Sequence, residues 1–249
     1  MIMSGLVLLG GCSSAAPVRQ PAAWHPAQTA APNPPPATPA AVPPARITYP
    51  EHGSRHWITA AAQTGPAAGR AGTLLHYRVL VERDIHGLSA GRFADAVTTT
   101  LSDPRSWTGG GRWRLRRVGP GSRYDFTIYL ATPQTRDRLC GNGEDGYTSC
   151  RNGSKVVLNV ARWVKGVPRY GTTLATYRQY MVNHEVGHRL GQGHELCPGP
   201  GRPAPVMQQQ TLGLHGCTAN PWPYRRKKRW TGPPGSYDDR IPPPDTGRT

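Results

Sequence analysis

The thirteen residues Asn183 to Glu195, NHEVGHRLGQGHE, constrain this chain more than any other stretch. His184 and His188 are four apart, so on a helix both imidazoles leave the same face. His194 could not join them if the helix ran straight on, because six further residues carry it about 9 Å along the axis. Gly191 stands where a reversal is needed, and glycine takes the positive φ that ends a helix without strain. The spacing therefore predicts a helix, a glycine turn and a third histidine folded back.

Three neutral imidazoles with an open fourth position describe a catalytic metal site, with Zn2+ the ion that suits them. Glu185, beside the first histidine, is placed to take a proton from a zinc-activated water and return it to a leaving amine. The shorter pattern His-Glu-x-x-His arises by accident, whereas the full pattern with Gly191 and His194 is far more specific.

The helix carrying this stretch is predicted over 173–190. Leu174, Tyr177, Met181 and Val182 lie on one side, with no Gly or Pro before Gly187. Strands are expected at 73–82, 112–118, 124–131 and 155–163. A helix is expected over 89–103, with Phe93, Val97 and Leu101 at helical spacing and Ser89 as its cap. Strands followed by a long helix give an α+β fold class.

The ends read differently. Residues 1–12 combine a short apolar run with Leu9-Gly10-Gly11-Cys12, which looks like a lipoprotein signal peptide with Cys12 as the lipidated residue. An ordinary cleaved signal is the alternative. Residues 13–46 contain ten Pro and eleven Ala and cannot bury enough surface to fold, so a disordered linker is expected. The folded domain is placed at 47–224, and the basic, Pro-rich 225–249 is expected to be a second disordered tail.

With 30 Lys+Arg against 14 Asp+Glu, the chain carries a formal net charge of +16. That favours contact with anionic lipid or cell-wall polymer; nucleic acid is not expected, since no nucleic-acid motif accompanies "RRKKR" (225–229). Cys140, Cys150, Cys197 and Cys217 form an even set suited to export. Of three pairings, Cys140–Cys150 with Cys197–Cys217 is favoured. His76, His86 and His215 are expected at the surface or in loops.

The run from His184 through Gly191 to His194 resembles the metzincin zinc-peptidase pattern. That resemblance implies a twisted mixed sheet packed on a long active-site helix, and a small C-terminal subdomain with a methionine turn, for which Met207 in "APVMQQQ" is the candidate. It also implies an edge strand that pairs with an extended peptide or protein substrate. "KVVLNV" (155–160) is a candidate for it, and an interior strand is the equal alternative. Gln209 stands where some members carry a tyrosine ligand, so no fifth ligand is assigned. From about residue 60 to 224 the chain is also similar to an actinobacterial family of exported metzincin-like proteins. In this reading a Cys197–Cys217 bridge fixes the loop around Met207. The expectation is a membrane-tethered zinc endopeptidase outside the cell membrane, or fully secreted. The alternative is a non-catalytic zinc-bearing lipoprotein that serves as a binding module.

Overall fold

The computed structural model describes residues 46–141 and 143–247, together with Gly11, Ala16 and Arg19. The expected signal peptide apart from Gly11, its Cys12, and nearly all of the expected 13–46 linker lie outside the described residues.

The β-branched and apolar run "TLLHYRVLVE" becomes the central strand β2 (Thr73–Glu82), which follows the short β1 (Trp57–Thr59). Helix α1 (Ala90–Ser102) begins where Ser89 accepts a hydrogen bond from the Arg92 N–H, as the cap predicts. A one-turn 3-10 helix (Trp107–Gly110) leads to β3 (Trp113–Arg117) and β4 (Phe126–Ala131). Then come α2 (Pro133–Cys140), β5 (Cys150–Asn152), β6 (Lys155–Asn159), α3 (Val160–Lys165) and α4 (Leu174–Arg189). A small hairpin, β7 (Tyr224–Arg225) and β8 (Lys228–Arg229), stands apart.

The sheet runs β1-β2-β4-β6-β5, with β3 also paired to β2. It is mixed: β2 with β3, β2 with β4 and β4 with β6 are parallel, while β1 and β5 are antiparallel to their neighbours. The expected α+β arrangement with a twisted mixed sheet is therefore present.

Strand alternation divides the core. Tyr77, Val79, Phe126, Ile128, Val156 and Leu158 meet Phe93 and Val97 of α1 and Met181 and Val182 of α4 in the main cluster. Val157 and Ala131 face the other way, into a small cluster with Cys140. Burying a leucine-sized side chain contributes about 1.5–3 kcal/mol, so the larger cluster supplies most of the driving force.

Two expectations are corrected and one open choice, between an edge and an interior strand, is decided for the interior. The strand expected at 155–163 stops at Asn159, because the Asn159 carboxamide accepts the Ala161 N–H at 2.9 Å and caps α3, so "VARW" is helical. The candidate edge strand lies inside the sheet, flanked by β4 and β6's other neighbour β5, and it is buried on both faces; the edge is three-residue β5. Finally, residues 225–247 are not a disordered tail. Leu196 N–H donates to Pro233 O (2.7 Å), Gly235 N–H to His194 O (3.1 Å), and Tyr237 stacks on His215. Further on, Asp245 pairs with Arg162 (3.1 Å) and Lys165 (3.0 Å). A Pro-rich composition lacks an internal core, but these partners come from the folded body.

Both sequential disulfides are present, Cys140–Cys150 and Cys197–Cys217, with Cα–Cα distances of 6.1 and 5.8 Å. The first joins the end of α2 to the edge strand. The second closes a loop in a region with little regular structure, where side-chain amides replace a backbone ladder. Gln210 donates to Pro205 O and Asn220 O, and Asn220 donates to Ala204 O and Trp222 O.

Candidate metal centre

Helix α4 ends at the glycine turn the sequence predicts: Gly191 has φ +85°, and the Gly191 and Gln192 N–H groups donate to His188 O and Gly187 O. The reversal returns His194 to the other two rings. Nε2 of His188 lies 3.2 Å from Nε2 of His184 and 3.0 Å from Nε2 of His194. All three ligand atoms fall within 4.8 Å of one another, and no other such His/Cys/Asp/Glu group occurs among the described residues. Two nitrogens each about 2.0–2.1 Å from one tetrahedral ion stand about 3.3 Å apart, so the triad fits a single ion.

The opposite nitrogens fix the tautomer. Nδ1 of His184 lies 2.8 Å from Val206 O and Nδ1 of His188 2.9 Å from Gln192 O. A carbonyl only accepts, so each Nδ1 carries the hydrogen and each Nε2 is left with a lone pair. His194 Nδ1 lies 2.9 Å from Ser236 Oγ, which can accept in the same way. Lone pairs aimed at one point from about 3 Å repel unless a cation lies among them. Burial, reinforced by His188 and His194, holds the His184 pKa well below the usual range. Burial and then His188 push His194 down to about 4. Both effects keep the rings neutral, the form that binds metal.

Met207 lies under this helix. It is fully buried in the turn after Pro205, where Gln208 N–H donates to Pro205 O. Its sulfur and the Trp107 ring approach the backbone of Gly187 so closely that a Cβ there would lie 2.5 and 2.6 Å from them. The same turn supplies the carbonyl of Val206 to His184 and that of Met207 to the Glu195 N–H (3.2 Å). The Cys197–Cys217 bridge encloses it.

Glu185 lines a cleft of about 370 Å³ together with the three histidines. It is buried, its Oε2 has no hydrogen-bond partner, and desolvation pushes its pKa up to about 8 despite Arg136 and Arg151. One wall is the edge strand with Cys150 and Arg151; the facing wall carries Gln209, Thr211 and Leu212. Arg136, fully buried, braces the first wall by pairing with Asp137 and Asp145 (2.7 Å each) and donating to Thr148 Oγ1. Ile241 of the C-terminal segment reaches the same cleft.

Several contributors escape sequence reasoning. Asn183 ties α4 down through Ser106 Oγ (2.7 Å), Pro221 O (2.9 Å) and, by its own carbonyl, Trp107 Nε1 (2.7 Å). Its place beside His184 is the one signal available. Ser236 gives none, being 42 residues from its partner. His215 pairs with Asp239 (2.8 Å), His76 faces Asp125 and His86 bridges Thr48, so all three are apart from the triad.

A family described as "Protein of unknown function (DUF3152)" matches residues 43–225, and this chain belongs to it. No curated protein and no solved structure matches the chain.

Proposed function

We propose that this chain is a zinc-dependent endopeptidase of metzincin type, held outside the cell membrane by a lipid on Cys12. The observation that carries the reading is the convergence of three Nε2 lone pairs at 3.0–3.2 Å beside the acid Glu185 in one cleft. His184, His188 and His194 would hold the ion, which when bound supplies Lewis acidity for a substrate carbonyl.

The chain's own residues do the rest. In its ionised form, which a cation held by the neighbouring histidines would favour against the desolvation, Glu185 takes a proton from the attacking water and delivers it to the departing amine nitrogen. Its unpartnered Oε2 is free for that exchange. Strand β5 pairs with β6 on one side and lies at the end of the sheet order, so its outer edge suits an extended peptide. Val206, Gln192 and Ser236 keep the rings oriented, and Met207 supports the helix beneath them.

The test is paired: metal content of purified protein, then cleavage of casein and a peptide library by wild type and Glu185→Gln. Cleavage lost in the variant with zinc retained supports the proposal. Zinc-loaded wild type that cleaves nothing across a broad library overturns it in favour of the binding module.

A further inference from the structure

The hairpin β7–β8 lies away from the cleft and has its own chemistry. Tyr224 pairs with Arg229 and Arg225 with Lys228, leaving Arg226 and Lys227 as a two-residue turn. Both have positive φ, 47° and 63°. Asn-Gly makes such a turn without strain, whereas long L side chains do not. Local stability therefore favours other residues at this tip, and what the arginine and lysine add is charge.

Arg225, Arg226, Lys227 and Lys228 are all exposed. None of them has a carboxylate partner among the described residues; the two acids near the hairpin, Asp103 and Glu195, are engaged by Arg105 and Arg229. The foot is fixed. Arg229 pairs with Glu195 at 3.1 Å and lies over the Trp107 ring, Tyr224 N–H donates to Arg105 O at 3.0 Å, and Trp230 N–H donates to Pro223 O at 2.9 Å. Beside the foot is a hollow of about 370 Å³ into which Arg105, Arg225 and Arg226 converge with Thr218, Asn220 and Trp222. Arg105 lies over the Trp222 ring at 4.2 Å with its Nε and Nη2 held by Asp103 at 2.8 and 2.7 Å, so the guanidiniums open to a phosphate are those of Arg225 and Arg226. Planar guanidiniums match phosphate oxygens two at a time.

We propose that this tip and the hollow at its foot bind phosphodiester groups presented by an anionic polymer or by lipid headgroups. The recognition is electrostatic. The exposed large apolar side chains among the described residues are Ile58, Tyr124, Leu174 and Ile241, and none lies on the hairpin to insert into a bilayer.

The experiment uses the full chain and two probes, soluble poly(glycerol phosphate) and phosphatidylglycerol vesicles, with phosphatidylcholine vesicles as the control. The informative variant is Arg226→Asn/Lys227→Gly, which relieves the turn. It should unfold no more easily than wild type and keep the same zinc content, yet bind the phosphate probes at least about tenfold more weakly at 0.15 M salt. The slope of log affinity against log salt should shrink by about 1.4–1.8, the share of two cations. Arg225→Gln, outside the two-residue turn, should weaken binding while the backbone pairing of the hairpin stays. Binding to the soluble polymer and the vesicles, or to either alone, supports the site and identifies the source of the phosphate. Wild-type affinity in the double variant overturns it, as does a duplex oligonucleotide binding more tightly than the polymer at equal charge.

Discussion

Replacing Gly187 by alanine tests how closely the turn around Met207 is fitted to the helix. Two effects oppose each other. Alanine is favoured over glycine inside a helix by about 1 kcal/mol. Its Cβ, however, would lie 2.5 Å from Met207 Sδ, 2.6 Å from Trp107 Cζ2 and 3.3 Å from Met207 Cε. Ordinary carbon contacts are about 3.5–4.0 Å, so two neighbours must each yield by about 1 Å. Met207 can rotate its flexible chain. Trp107 cannot, since its Nε1–H is bonded at 2.7 Å to Asn183 O on the same helix. Overpacking of this kind costs about 1–3 kcal/mol. With both neighbours buried, the cost falls near the top of that range, leaving a net loss of about 1–2 kcal/mol. Because α4 carries His184 and His188 while His194 is held separately, the same shift should misalign the triad and weaken zinc about tenfold. Urea unfolding of metal-free protein measures the first effect and chelator competition the second. Gly193→Ala, which meets nothing within 4 Å, is the control and should alter neither. A Gly187→Ala protein stabilised by the helix propensity alone, with wild-type zinc affinity, would refute the reasoning.

Other outcomes follow from the same geometry. Cys197→Ser/Cys217→Ser opens a loop with a sequence separation of 20 and should cost about 3 kcal/mol in unfolding free energy; zinc affinity should fall with it, and unchanged affinity would show that the bridge does not hold the turn. Ser236→Ala removes the acceptor on His194 Nδ1 and should weaken metal binding about 10-fold or more, with little change in urea midpoint. For Asp245, burial opposes ionisation, but the Gly247 N–H, Lys165 and Arg162 outweigh it and lower the carboxyl pKa. A lowered folded pKa means the clasp contributes in full above the unfolded value of about 3.9 and is lost as pH falls through the folded one. Protease nicking of residues 238–247 should therefore rise at acid pH, and in Asp245→Asn already at neutral pH.

The sequence carried the centre of this molecule and missed its supports, for a physical reason. Helical period and a glycine stop are local signals, so the span of α4 and the meeting of three histidines could be read directly. So could β2, from its β-branched and apolar content, β4, from the alternation of its sequence, and the two disulfides, from an even cysteine count. Three-residue β5 is too short to show a period. Arg136 reads locally as a surface charge, and only Asp137, Asp145 and Thr148 make its burial tolerable. Past Asn159 the pattern is ambiguous, because Val160 and Trp163 look the same in a strand and in a buried helix. In the C-terminal run, proline content forecasts the lack of a core of its own and says nothing about partners 83 residues away, such as Arg162 for Asp245.

The family match stops at residue 225, whereas the hydroxyl on His194 comes from Ser236 and one side chain of the cleft from Ile241. A fragment trimmed to the shared region would retain every imidazole and still present a loosened triad beside a wider entrance. The geometry of the triad and the width of its entrance therefore depend on a segment that lies beyond the region shared with the family.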